Sequence, residues 1–393
     1  MSQKTTDDAL TIQSQTIDWL RFPFMLFVVF IHATPNSFVI SEINFSRFTG
    51  NDFNTLIYGI SRNLAGICNS GFFIFSGYWF FYNVKEFDKN VYMAKMKSRL
   101  HTLVIPYFLW LSIAVLANVL RKTLGAILKG SAQNQTLSEW FAKLMEKGIL
   151  RVFWDFNTWG ETNKNILGQF TPNSGPFVIP LWFLQNLIVL SLLSPLIYLI
   201  VKKLKLFSII ALCMLYLTGL WFVVPSPKIS ALFFFAVGAY FGINKQNMVF
   251  ELRRYKHIFY SIAFVSLLCG LCISIFFNGK IGYTGYLHGI RNISWTFSSI
   301  VFASYLIENK KVTVLPILSK SMFFVYSLHT IMVMTAVKYI FTFITRHSDF
   351  WLVNTLRYPI VTVVTTFLCI FAYWFLCKFK YLRPIAKVLS GNR

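Results

Sequence analysis

The chain has 393 residues, of which 56% are hydrophobic and 18% aromatic but only 13% charged, and its mean hydropathy is +0.58. A soluble domain carries nearer a quarter charged residues, so this composition excludes an ordinary soluble globule and points to a membrane. The net charge of +23 would suggest nucleic acid in a soluble protein, but here the basic residues fall in short gaps between apolar runs, which points to topology instead, and no nucleic-acid partner is expected.

About ten apolar runs are long enough to cross a bilayer. They cover approximately 19–40, 64–82, 101–120, 177–201, 206–224, 229–243, 257–277, 290–307, 321–345 and 352–377. Alternate gaps are rich in Lys and Arg: Lys85 to Arg99, Lys202 to Lys205, Lys245 to Lys256, Lys310 to Lys320, and a tail from Lys378 to Arg393. The intervening gaps are sparse, with Arg47 and Arg62, Lys228, Lys280 and Arg291, and Arg346 and Arg357. The bias predicts both termini in the cytoplasm and an even number of crossings. The expected fold class is all-α: one polytopic helical membrane domain over residues 1–393, without a fused soluble domain. The first run carries Arg21 and Pro23 and lacks a small-residue cleavage site, so it is expected to be retained as a span.

One gap is long, from Arg121 to Pro176, on the predicted outer face. Within it Ser138 to Leu150 reads as a short amphipathic helix at the interface, Phe153 to Trp159 is aromatic, and Thr171 to Pro176 is turn-forming. Gaps of this length often serve as lids or binding surfaces. The six cysteines offer no disulfide framework, and Cys269-x-x-Cys272 falls inside a predicted span, where small apolar packing outweighs redox or metal chemistry. No metal site is expected.

The stretch from Ile17 to Ala33, IDWLRFPFMLFVVFIHA, carries the chemistry. Arg21 and His32 are eleven residues apart, about three helical turns, so both side chains sit on one face at an axial separation of about 16 Å. An ionisable group at membrane depth is costly and by default marks a functional path. Arg21 suits a phosphate group at the inner mouth, and His32 suits acid–base work toward the outer half. Two plainer roles remain open at this point: an interface anchor paired with Asp18 for Arg21, and a histidine satisfied by a neighbouring helix for His32. No Asp or Glu lies deep in a span, which argues against a proton-coupled transporter.

Asp18-x-x-Arg21, ten residues and then His32, on a first apolar helix, resembles the signature of the acyltransferase-3 family of integral-membrane O-acyltransferases. Four further stretches match in order. GFFIFSGYWF, Gly71 to Phe80, is similar to the family's second helix, and KMKSRLHTLVIPYFLW, Lys95 to Trp110, to its basic lead into a proline-containing third helix. PLWFLQNL, Pro180 to Leu187, and SMFFVYSLH, Ser321 to His329, are similar to two later helix starts, with Gln185 standing where relatives often carry arginine.

The resemblance implies an acyl donor, usually acetyl-CoA, entering from the cytoplasm, and a carbohydrate hydroxyl as acceptor on the outer side of a bacterial inner membrane. By position, His32 would be the base that deprotonates the acceptor hydroxyl or otherwise assists transfer, and Arg21 would hold the donor. Lys97 and Arg99, which read first as topology signals, are alternatively grips for CoA phosphates, and Ser76 a hydrogen-bond partner of the donor or of His32. Ser76 with Gly77 reads equally as a packing pair of small residues. His329, Asp155, Glu161 and Trp182 are candidates around His32 or the acceptor: His329 beside the imidazole or as a satisfied core polar group, Asp155 or Glu161 as the imidazole's partner unless a hydroxyl, an amide or a backbone carbonyl serves, and Trp182 as a sugar platform or part of an interfacial aromatic belt. Lys338 is expected to snorkel to the outer interface. The rival reading is a carrier or flippase for a saccharide or acyl metabolite, without catalysis. Oligomeric state is not legible.

Overall fold

The computed structural model describes residues 3–33, 66–129, 136–146, 163–171, 174–222, 226–276, 285–346 and 350–392, together with scattered positions between 49 and 59, 153–154, 157–158 and 224. Helices dominate it, and the strands among the described residues are four two-residue pieces: β1 Asn157–Thr158, β2 Asn163–Lys164, β3 Phe170–Thr171 and β4 Ser174–Gly175. They pair antiparallel as β1 with β4 and β2 with β3, inside the long gap where the sequence signals turns.

The first helix, α1 (Gln3–Ala33), is the axis of the bundle. It is longer than its apolar run. Two polar side chains in its N-terminal half, Gln13 and Thr16, are buried, and Gln13 donates its amide hydrogen to the Tyr78 hydroxyl. Ile17, Leu20, Phe24, Met25, Val28 and Val29 are buried at helical spacing, and five helices pack around them. These are α2 (Ile67–Phe81) and, later in the chain, α10 (Met248–Arg253), α12 (Gly285–Glu308), α13 (Pro316–Leu328) and α15 (Trp351–Lys378).

After α2 comes α3 (Lys89–Arg99), started by Asp88, whose carboxylate accepts the Val91 amide hydrogen at 2.7 Å. A π-turn at Leu100–Val104 carries α3 into α4 (Ile105–Lys129). The amphipathic segment forms α5 (Leu137–Glu146), shorter than its sequence pattern among the described residues. The run read as one span over 177–201 is two helices, α6 (Trp182–Leu192) and α7 (Ser194–Leu204), bent by 68°. Pro195 in the first turn of α7 cannot donate to the preceding turn, and the helix restarts there. Next come α8 (Leu206–Thr218), α9 (Ile229–Ile243) and α11 (Lys256–Phe276). Past α13, a second π-turn at His329–Val333 leads into α14 (Met334–Thr345), and α16 (Arg383–Leu389) follows α15.

Among the described residues five helices are long and apolar enough to cross a membrane, six if α6 and α7 form one bent span, and α8 and α9 are shorter apolar helices. Their outward faces are apolar: Leu116, Leu120 and Leu124 stand exposed on α4, Phe264, Val265 and Leu268 on α11, and Ile340, Phe343 and Ile344 on α14. Such stripes are stable against lipid and unfavourable in water, so the helices form an integral membrane bundle.

The tightest contact is between α2 and α9. Gly77 lies against Phe235 and Ala239, Gly238 against Ile74 and Tyr78, and Gly242 against Tyr78 and Tyr82, so the two helices run in the same direction. A Cβ at Gly77 would run into the Phe235 carbonyl oxygen, and one at Gly242 would lie 2.7 Å from the Tyr78 carbonyl oxygen. Gly77 is therefore the packing residue of the Ser76–Gly77 pair, and Gly238-x-x-x-Gly242 is its counterpart.

Candidate functional site

Arg21 and His32 open onto two different cavities along the same helix. At the Arg21 end, a cavity of about 110 Å³ is lined by Arg21, Ser76, Trp79, Arg99, Leu103 and Tyr326. Four separate elements deliver those groups, α1, α2, α13 and the α3–π-turn junction. The Arg21 guanidinium holds Asp18 at 2.6 Å, so the ion pair expected of an anchor and a place on the cavity wall coexist. Arg99 sits 5.2 Å from the centre of the Phe80 ring and has no carboxylate partner among the described residues. Of the two guanidiniums on this wall only Arg21 has a carboxylate partner among the described residues, which leaves the cavity cationic and suited to an anion.

At the His32 end, a cavity of about 630 Å³ is lined by His32, Asn118, Arg121, Thr330, Thr335, Tyr339 and the backbone run Phe177 to Pro180. Trp140 of α5 meets the Phe177 ring at 6.4 Å, so the amphipathic helix lies against the wall of this cavity. The His32 ring is 5.4 Å from that of His329, which is wholly buried at the start of the second π-turn. Lys338 donates to the His32 carbonyl oxygen at 2.6 Å, closing the C-terminal turn of α1 with a cation instead of reaching away from it.

One hydrogen bond stands where the two cavities meet. Tyr326 lines the Arg21 cavity, and its hydroxyl donates to the carbonyl of Pro180, which lines the His32 cavity. The Tyr326 ring also lies 6.4 Å from His329. Tyr326 belongs to the SMFFVYSLH stretch, but its part as the divider was not read from sequence, nor was the pair Asn118 and Arg121. The signal for that pair was an i,i+3 polar couple at the end of an apolar helix, where Arg121 Nη2 lies 3.3 Å from Asn118 Oδ1.

Of the residues expected from sequence, Arg21, Ser76 and Arg99 share one cavity, while His32 lies on the other with His329 beside it. Lys97 does not join them: it is exposed on another face of α3 and is absent from the cavity wall, because two residues of helix turn it about 200° from Arg99. Trp182 does not line the His32 cavity either. It packs on Phe73 at 6.0 Å and under the Lys228 ammonium at 5.0 Å, and burial draws that lysine's pKa down to about 8. Asp155 and Glu161 lie outside the described residues, as does Trp159. Gln185 is buried in α6 with neither amide atom hydrogen-bonded among the described residues. No group of three or more potential metal ligands occurs among the described residues.

Comparison with known proteins gives no match among curated proteins and none among solved structures. One family does match: its model, described as an acyltransferase domain, covers residues 14–374, a span that contains α1 from Gln13's neighbour onward, both cavities and the Tyr326 divider. A chain matched over nearly its whole length by that model belongs to this acyltransferase family.

Proposed function

We propose that the protein is a membrane O-acyltransferase that moves an acetyl group from cytoplasmic acetyl-CoA to a hydroxyl of a cell-surface glycan or glycolipid. The observation that carries this reading is the division of α1 between two cavities, a cationic one at Arg21 and a larger one at His32, about 16 Å apart along the axis. The basic bias of alternate gaps supports ten spans with both termini in the cytoplasm of a bacterial inner membrane. In that orientation the Arg21 cavity opens toward the donor and the His32 cavity toward the acceptor. An extended pantetheine arm is long enough to carry a thioester from one to the other.

The step is an acyl transfer. The acceptor hydroxyl gives its proton to the His32 imidazole as its oxygen forms a bond to the thioester carbonyl carbon. The carbon–sulfur bond breaks, and the CoA sulfur leaves with the proton returned from the imidazolium. Arg21 and Arg99 bind donor phosphates, and Ser76 lies on the same wall. Lipid surrounds the bundle.

The test is acyl transfer by the purified protein in proteoliposomes supplied with labelled acetyl-CoA, alongside mass spectrometry of surface glycans from cells with and without the protein. Label in a glycan ester, lost without the protein, is the expected result. A saccharide that crosses the membrane unmodified, with no ester formed, would establish a carrier instead.

A contact prediction arises from the cationic cavity. Arg99→Gln is expected to raise the KM for acetyl-CoA by about 10- to 100-fold with little change in kcat, the size of one charge-assisted hydrogen bond. Acetyl-pantetheine, which lacks the nucleotide phosphates, should be handled equally by parent and variant. A variant whose KM for both donors stays at the parent's value removes Arg99 from the donor site.

A further inference from the structure

We propose that His329 orients His32, its Nε2 accepting a hydrogen bond from the His32 ring directly or through one water. This rests on the acyltransferase reading of the site and adds the partner that His32 lacks in that scheme, since no described carboxylate stands beside it.

The geometry begins with the backbone. His329 Nδ1 lies 3.1 Å from the carbonyl oxygen of Val325, one turn back. A carbonyl oxygen accepts only, so Nδ1 carries the proton and Nε2 is left with its lone pair. That Nε2 is buried and has no hydrogen-bond partner among the described residues. A buried acceptor without a donor is costly, and in a folded protein it calls for a reason. The nearest imidazole is His32, with ring centres 5.4 Å apart and planes tilted by 49°.

The local backbone is unusual in the same place. The π-turn His329–Val333 starts at this histidine, and π-turns within α-helices are frequent at functional sites. Ser327 Oγ and Thr330 Oγ1 on the same stretch are likewise buried without partners, and Thr330 lines the His32 cavity. Three unsatisfied polar groups over four residues of an otherwise apolar helix form a polar lining rather than a packed core.

The chemistry follows from the tautomer. When His32 gives its ring N–H to His329, its other ring nitrogen keeps a lone pair for the acceptor hydroxyl. When that nitrogen takes a proton, the second imidazole faces the new cation with an acceptor atom. A carboxylate does the same in many hydrolytic sites, but it brings a permanent charge to membrane depth. A neutral imidazole supplies the orientation without that cost.

The test compares His329→Leu with His329→Gln in proteoliposomes, at matched amounts of protein that is monodisperse in detergent. Leucine removes the acceptor, whereas the glutamine side-chain oxygen reaches the Nε2 position. We expect the leucine variant to lose about 100- to 1000-fold in kcat with an unchanged KM for acetyl-CoA and a melting midpoint no lower than the parent's. The glutamine variant should stay within about tenfold of the parent. In a His32→Ala background, His329→Leu should remove nothing further from the residual rate, because a residue that acts through His32 has nothing left to orient. Should the leucine variant fail to fold, His329→Asn, which places no acceptor at the Nε2 position, takes its part with the same expected loss. An active parent whose leucine variant turns over equally fast overturns this role alone, as does an additive loss in the double variant. A parent that transfers nothing from any thioester donor overturns the site reading and this role together.

Discussion

His32→Ala is expected to lower the turnover of acyl transfer by about 100- to 10,000-fold, the range of a positioned general base, while the protein still inserts and purifies. The size of the loss follows from what surrounds the residue. His32 is the imidazole on the wall of the larger cavity, and the other ionisable side chains there among the described residues are Arg121 and Tyr339. A guanidinium has no lone pair free to accept a proton, and a neutral phenol oxygen is a far weaker base than an imidazole nitrogen. Truncation to alanine therefore leaves that wall without a base. Donor binding should persist, because Arg21 and Arg99 lie on the other cavity and keep their contacts. The decisive measurement is kcat and KM in proteoliposomes, with CoA binding measured separately. Turnover within tenfold of the parent would end the assignment of His32 as the base.

Gly77→Val has the largest expected effect on folding. The change puts side-chain carbon where the Phe235 carbonyl already sits, and backbone, unlike a flexible side-chain tip, has no rotamer into which to retreat. Helices α2 and α9 would have to separate along their whole contact, which also carries Gly238 and Gly242. A cost above about 3 kcal/mol is expected, enough to remove most of the folded protein from the membrane. Ser76→Ala, one residue away, removes only a hydroxyl from a cavity wall and should leave folded yield unchanged. Fluorescence-detected size-exclusion of the two variants makes the comparison. Equal monodisperse yield for Gly77→Val and parent would show that the contact tolerates a side chain.

Much of the site is legible in the chain because it is written within one helix. Arg21 and His32 share a face by the 3.6-residue period, and the period needs no knowledge of any neighbour. Arg99 is legible as a cation entering an apolar run, though its neighbour Lys97 carries the same signal, and only the helix rotation separates them. Proximity between distant segments is another matter. Spacing alone does not place His329 against His32, 297 residues away, although His329 stands among the candidates around the site; nothing in the sequence pairs Tyr326 with Pro180. The polar first half of α1 escaped an apolar criterion because its buried Gln13 is satisfied by Tyr78, a residue of another helix. The break between α6 and α7 was signalled by Ser194–Pro195, but apolar composition on both sides of it reads as a single run. Both π-turns were invisible, since an extra residue in one turn leaves no compositional trace.

The Tyr326–Pro180 hydrogen bond bears on more than the transfer of an acyl group. A bundle with a polar recess at each end of one helix is close to being a conduit, and a membrane that stores energy as an ion gradient cannot tolerate a leak at every copy of a membrane acyltransferase. The phenol ring stands between the two recesses, and its hydroxyl occupies the carbonyl oxygen that a passing cation could otherwise use as a ligand. In the proposed transfer the same ring would have to swing aside for the thioester arm, whose apolar carbons would then fill the passage. Insulation and catalysis would thus depend on a single aromatic side chain.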